Sequence, residues 1–186
     1  MDKIICLVGE SGSGKTTLCK ELEKEGYNII KSYTTRKPRY AGEYGHTFVD
    51  KDDKVYSKMH DVFLNKSIAY TFYDNEHYWA TKEQYENKSV SIYVIDPYGV
   101  AQLRESVKDA EIIVIYLRCS RQERYNRMKN RQIFYEGKNR KFAMNEAMSR
   151  ILHDELKFNS IKCDYAVNAD RNIRDILADI RRIIEG

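Results

Sequence analysis

The segment Gly9-Glu10-Ser11-Gly12-Ser13-Gly14-Lys15-Thr16, entered from Ile4-Ile5-Cys6-Leu7-Val8, constrains this chain more than any other part of it. It reads G-x-x-x-x-G-K-T, with an apolar run suited to a buried strand before it and a helical pattern after it. Its glycines let the backbone wrap closely enough for successive N–H groups to point at one anion. A helix starting near Lys15 adds the positive end of its dipole. Lys15 supplies a mobile cation for β- and γ-phosphates, and the Thr16 hydroxyl is placed for a magnesium ion that arrives with them. The expected nucleotide-phosphate site is Gly9, Glu10, Ser11, Gly12, Ser13, Gly14, Lys15, Thr16 and Thr17.

The rest of the chain alternates strand and helix. Lys3–Val8 is the first expected strand, and the first helix carries Leu18, Cys19 and Leu22 on one face, with Gly26 as its stop. Asn28–Ser32 reads as a second short strand. Val90–Ile95 and Ile112–Leu117 are β-branched runs without alternation, the pattern of parallel strands buried on both faces. Tyr165–Val167 reads as a last strand. Asn172–Ile184 reads as a closing helix, with Ile173, Ile176, Leu177, Ile180, Ile183 and Ile184 at helical spacing. The expected fold is a single α/β domain with a P-loop core, its parallel sheet flanked by helices and its crossovers right-handed. Core segments are expected at about residues 1–33, 89–118 and 151–186, with insertions at 34–88 and 119–150.

Composition narrows the function classes. The net charge of +4 on 186 residues is too small for a general nucleic-acid binder. No apolar run approaches a membrane span, and the N-terminal residues resemble neither a signal nor a transit peptide. Cys6, Cys19, Cys119 and Cys163 are scattered, as are His46, His60, His77 and His153. The expectation is therefore a cytoplasmic protein with reduced thiols and no metal held by protein ligands alone.

The positive charge is concentrated. From Arg118 to Arg150 there are ten Lys and Arg residues against Glu123, Glu136 and Glu146, an excess of seven. Arg124, Arg127 and Arg131 fall along one helical face. A charge run is usually a solvated face, but beside a P-loop it suits a lid that neutralises phosphoryl groups in transfer. The other insertion carries Thr34-Thr35-Arg36-Lys37-Pro38-Arg39 followed by Gly42-Glu43. Here two arginines flank a chain-fixing proline and form a fork for a second phosphate.

This segment resembles the phosphate acceptor site of the guanylate kinase family, S-x-T-T-R-x-P-R followed by G-E. Asn75-Glu76-His77-Tyr78-Trp79-Ala80-Thr81 resembles the family's G-N-Y-Y-G-[ST]. Val94-Ile95-Asp96-Pro97-Tyr98-Gly99 is similar to L-D-I-D-x-Q-G, Arg127-Met128-Lys129-Asn130-Arg131 to the R-L-x-x-R lid, and Arg150-Ile151-Leu152 to the later R-L. The resemblance implies ATP-dependent phosphoryl transfer, with Mg2+, to a nucleoside monophosphate, GMP or dGMP foremost. It places Ser32 near the acceptor base, Arg36 and Arg39 on the monophosphate, and Tyr78 or Trp79 with Thr81 in the acceptor pocket. Asp96 would orient the acceptor or a magnesium-bound water. Lys15, Arg127, Arg131 and Arg150 would act on the transferring group.

Departures from the family pattern fall on the acceptor side. His46 stands where a phosphate-contacting tyrosine is expected. Tyr70 aligns with the glutamate that reads guanine, unless the register shifts and Asp74 or Glu76 substitutes. A tyrosine stacks on a base but does not accept two N–H bonds as a carboxylate does. The alternatives carried forward are a kinase of this fold with another acceptor (a different nucleotide or a ribose bisphosphate) and a non-catalytic peptide-binding module.

Overall fold

The computed structural model describes residues 1–50, 66–134, 136–158 and 161–186; His60 lies outside them. Five parallel strands make the central sheet, in the order β2-β7-β1-β8-β9: β1 (Asp2–Val8), β2 (Asn28–Ile30), β7 (Val90–Val94), β8 (Ala110–Arg118) and β9 (Tyr165–Asn168). A second sheet, in the order β4-β3-β6-β5, joins β3 (Ser32–Thr34), β4 (His46–Phe48), β5 (Ser67–Tyr73) and β6 (Glu76–Thr81). Helices are α1 (Lys15–Lys24), α2 (Pro97–Ser106), α3 (Arg121–Phe134), α4 (Arg140–Lys157) and α5 (Ile173–Glu185).

The apolar run of β1 is buried on both faces, and its alternation divides the core into two layers. Ile5 and Leu7 meet Leu18, Cys19 and Leu22 of α1 and the stripe Ile176, Leu177, Ile180 and Ile184 of α5. Ile4, Cys6 and Val8 meet Val100 and Leu103 of α2, together with Ile68, Ala69 and Ala80 of the second sheet. Each fully buried Ile or Leu contributes about 1.5–3 kcal/mol, so these stripes fix how the helices sit on the sheet. The second layer therefore ties the insertion to the core through the same strand that delivers the P-loop.

One expected strand divides, and one expected boundary falls within a continuous helix. The strand expected over Asn28–Ser32 divides at Lys31: β2 pairs with β7 of the central sheet, whereas β3 pairs with β4 and β6 of the second. The apolar pattern continues across the break because Ile30 and Ser32 are both buried, each in a different sheet. The lid boundary expected at residue 150 falls inside α4, which runs unbroken to Lys157. An amphipathic helix carries its apolar face, here Ala143, Ala147 and Ile151, straight through that point.

Candidate active site

At the end of β1 the chain turns through Gly9–Gly14 into α1. Gly12 (φ 83°) and Gly14 (φ 100°) are left-handed, and a Cβ on Gly12 would lie 2.7 Å from the Arg124 carbonyl oxygen of α3. Only glycine allows this loop both its twist and its contact with the lid. The Lys15 ammonium folds back over the loop and donates to the Gly9 carbonyl (2.6 Å), the Glu10 carbonyl (3.0 Å) and Ser13 Oγ (3.4 Å). Burial pushes its pKa down to about 8, against the opposing pull of Asp154 and Glu10. Thr16 and Thr17 are exposed on the first turn of α1.

The α4 carboxylate Asp154 accepts from the Ser11 N–H at 2.6 Å. Buried Arg124 lies between Glu10 (3.8 Å) and Asp154 (3.9 Å), and Glu10 also accepts from the Tyr116 hydroxyl. Arg124, expected on a lid face, is instead buried and ties α3 and α4 to the P-loop, where the largely buried Glu10 and Asp154 carboxylates require a counter-charge. Arg127 donates to the Ser13 and Ala169 carbonyls and is held by Glu123 at 2.8 Å. Arg131 pairs with Glu136.

On the acceptor side, Glu43 organises the fork. It accepts from both terminal nitrogens of Arg36 (2.8 and 3.0 Å) and from the Arg39 N–H (2.6 Å). Burial opposes ionisation of this carboxyl, yet the two arginines hold it below its usual range. His46 is held below the usual imidazole range by burial and then by the Arg36 charge, so it is a neutral ring beside the fork. Tyr78 lies edge-on to it, with centroids 5.8 Å apart.

These two sides share one cavity of about 300 Å³. Gly9, Ser11 and Lys15 form one end, with Ser32, His46, Ala69, Thr71, Tyr78 and Asp96 further along its wall. Arg150 joins them to the lid: its pKa is lowered by burial and by the charges of Arg39 and Arg131, and it in turn lowers that of Lys15. Arg150 therefore lies within electrostatic reach of both the P-loop lysine and Arg39 of the fork.

Trp79 and Thr81 lie away from the cavity lining, while Asp96 and Tyr70 line it and are also held by neighbours. Trp79 is buried and stacks on Tyr33 at 5.3 Å, on the face of β6 opposite Tyr78, so Tyr78 is the one that meets the cavity. Thr81 caps the turn Lys82–Gln84 through a reciprocal bond with Gln84, as suits a threonine before a helical turn. Asp96 lines the cavity and also caps α2, accepting from the Gly99 N–H at 2.7 Å. Tyr70 borders the cavity, but strand alternation sets its ring on the Trp79 face, where its hydroxyl meets His77 Nδ1 at 2.8 Å. Glu76 accepts from the Thr35 hydroxyl, and Asp74 sits in the hairpin turn at φ 52°. Neither lines the cavity. Sequence reasoning missed Asp154, whose one signal was its place four residues after Arg150 on the same helical face.

The sequence profile of the AAA domain matches residues 5–143, three-quarters of the chain. A guanylate kinase of Clostridium tetani is 29% identical over 184 residues, spanning 97% of this chain and 84% of the relative. A guanylate kinase of Wolinella succinogenes is 31% identical over 134 residues, 67% of this chain and 60% of the relative. The chain is an AAA-domain P-loop protein of the guanylate kinase family. Its fold is also that of the crystal structure of guanylate kinase from Anaplasma phagocytophilum, with a TM-score of 0.63 at 18% identity, covering 99% of this chain and 85% of that one. Family membership makes it a nucleoside monophosphate kinase. Among the described residues no helix is long and apolar enough to cross a membrane.

Proposed function

We propose that this kinase transfers the γ-phosphoryl group of ATP to a nucleoside monophosphate in the cytoplasm, with GMP or dGMP as the first acceptors to test. The observation that carries this reading is the shared cavity. A P-loop lysine lines one end, the neighbours of an arginine fork line its wall, and Arg150 is close enough to both to feel each charge. One phosphate site would suffice for a hydrolase; two facing sites suit transfer between phosphorylated ligands.

In this reading residues 9–17 hold the triphosphate, Arg36, Arg39 and Tyr78 hold the acceptor phosphate, and Ser32 and Asp96 face its nucleoside. The attacking phosphate oxygen is already anionic, so no protein base is needed. The work left to the protein is alignment, charge neutralisation and exclusion of water. Arg127, Arg131 and Arg150 meet the charge that develops between the two phosphates. We assign residues 34–88 to acceptor binding and about 119–150 to the lid over a core of 1–33, 89–118 and 151–186, in a single kinase domain.

The residues present fit a magnesium ion carried in by the triphosphate. Thr16 presents its hydroxyl at the exposed start of α1, beside the amides of the P-loop. Among the described residues no three ligating side chains cluster to hold a metal by themselves. When bound, the ion would supply positive charge that neutralises the phosphates.

The test is an ADP-release assay coupled to NADH oxidation, run with ATP and Mg2+ against each nucleoside monophosphate and deoxynucleoside monophosphate. Acceptor-dependent turnover within about 1–100 s⁻¹ is expected. ADP release that is indifferent to acceptor would overturn the reading.

A further inference from the structure

One amide of the glycine loop is engaged by a side chain from across the fold. Asp154 Oδ2, on α4, accepts from the Ser11 N–H at 2.6 Å, a short contact of the charge-assisted kind. Asp154 lines the cavity with Gly9, Ser11 and Lys15, so its carboxylate stands on the cavity side of the loop. Its charge also reaches the lysine: burial lowers the Lys15 pKa, and Asp154 is the charge that most opposes the fall. A carboxylate that bonds a loop amide and favours the loop's ammonium makes the two kinds of contact a phosphate oxygen makes at such a loop.

The same oxygen has a second partner within reach. It lies 3.9 Å from Arg124 Nη1, about 1 Å beyond a charge-assisted hydrogen bond. The Arg124 side chain is only 4% exposed, and its Nε and Nη1 have no hydrogen-bond partner among the described residues. Glu10, at 3.8 Å from Nη2, supplies opposite charge without a hydrogen bond. A buried guanidinium with unused N–H groups is costly to keep, and an acceptor brought to it recovers part of that cost. Asp154 Oδ2 therefore stands between two partners, bonded to the Ser11 amide and not to Arg124.

We propose that Asp154 competes with a phosphate oxygen of the triphosphate for the Ser11 amide, and yields to it by moving onto Arg124. The proposal rests on the reading of residues 9–17 as the triphosphate site. Carboxylate and phosphate repel each other at hydrogen-bonding distance, so the two anions do not share the amide. A shift of about 1 Å takes Oδ2 to Arg124 Nη1, where it supplies the acceptor that the guanidinium lacks. The movement bears on the reaction through the helix that makes it. Arg150 sits one turn before Asp154 on the same face of α4, so a shift of that turn carries the arginine with it. Asp154 is thus a positioning residue: it couples the arrival of the triphosphate to the placement of the cation that meets the transferring group.

The experiment reads the contact directly in isotope-labelled wild-type protein, through the scalar coupling that a hydrogen bond carries between the Ser11 amide nitrogen and the Asp154 carboxyl carbon. The coupling is expected in nucleotide-free protein and is expected to vanish on saturation with Mg2+ and the non-hydrolysable β,γ-imido analogue of ATP. Its absence from nucleotide-free protein, or its survival at saturation, overturns the proposal while leaving the kinase reading intact. An analogue that does not bind defeats the triphosphate-site reading, and the proposal with it. Calorimetric titration of Asp154→Asn gives a second readout, at a pH well below the Lys15 value of about 8 so that the ammonium is charged in both proteins. The amide keeps the shape of the side chain but competes for Ser11 as a neutral acceptor, and a charge-assisted bond is roughly twice as strong as a neutral one. The variant is expected to bind the analogue about five- to tenfold more tightly than wild type. Equal or weaker binding overturns the proposal. Because the substitution removes charge beside buried Arg124 and risks misfolding, the coupling in wild-type protein keeps the proposal falsifiable without it.

Discussion

Glu43→Ala is the perturbation that most directly tests how the acceptor fork is built. The wild-type carboxylate is buried, with only 6% of its side chain exposed, and Arg36 is 15% exposed. Removing Glu43 strips Arg36 of two charge-assisted hydrogen bonds and leaves its guanidinium beside Tyr78 and Phe48 without a counter-charge. Breaking a fully buried pair costs about 3–5 kcal/mol; partial exposure of Arg36 reduces this to about 2–3 kcal/mol. For a chain of this size that is a fall in Tm of about 4–12 °C. The acceptor KM should rise about tenfold to a hundredfold, the worth of one charged contact no longer held in place, while the KM for ATP stays near its original value. Calorimetry gives the first quantity and the coupled assay the others. Glu43 also gives the stability a pH dependence of definite sign. Its folded-state pKa is lowered, so its contribution is complete above the ordinary glutamate range and is lost as pH falls through the depressed value. The double variant Arg36→Ala/Glu43→Ala should be no less stable than Glu43→Ala, because the uncompensated charge goes with its partner. A Glu43→Ala protein with unchanged Tm and unchanged acceptor KM would refute this account of the fork.

Lys15→Ala should abolish acceptor-dependent ADP release while the thermal transition persists; near-normal turnover would remove the P-loop from the donor site. Arg131→Ala and Arg150→Ala should lower kcat by on the order of 10²-fold or more with smaller changes in either KM, since these cations meet charge that develops in transfer. The kcat/KM for ATP should fall as pH rises through about 8, where the free enzyme's Lys15 loses its proton. Asp154→Asn should move that limb to lower pH, because Asp154 and Glu10 favour the ammonium while burial and Arg150 oppose it. A limb that stays in place would show that Asp154 only anchors the loop.

The glycine loop leading into α1 was legible because its geometry is local. Gly12, Gly14, Lys15 and Thr16 act through backbone twist and a helix start that the sequence spacing encodes directly. The strands Val90–Val94 and Ala110–Arg118 were legible for a similar reason, since burial on both faces leaves an unbroken β-branched run. Arg124 was not, because helical spacing says which residues share a face but not what packs on it. Its burial between Glu10 and Asp154 is decided by residues 114 positions back and 30 positions on. The β5–β6 hairpin failed differently. A one-residue shift in alignment exchanges the two faces of a strand, and a register irregularity between Ser67 and Ala69 sits where the alignment had to be made. Tyr70 lines the cavity alongside its neighbours Ala69 and Thr71, with its hydroxyl engaged by His77.

In the proposed acceptor site the arginine fork and the hairpin wall belong to different parts of the second sheet. Arg36, Arg39 and Glu43 lie in the chain between β3 and β4, where loop geometry and mutual charge hold them. Substitutions on β5 do not touch that network. Ala69 and Thr71 lie on a strand braced from behind by α2 through Gln102, so side chains there change the wall without moving the fork. Burial and the charges of Arg39 and Arg131 oppose the Arg150 cation, and Arg150 in turn opposes that of Lys15. Two bound phosphate groups relieve that repulsion, whichever base the acceptor carries. In the proposed reaction these charges answer to phosphate, while the nucleoside faces Ser32 and Asp96 on the cavity wall.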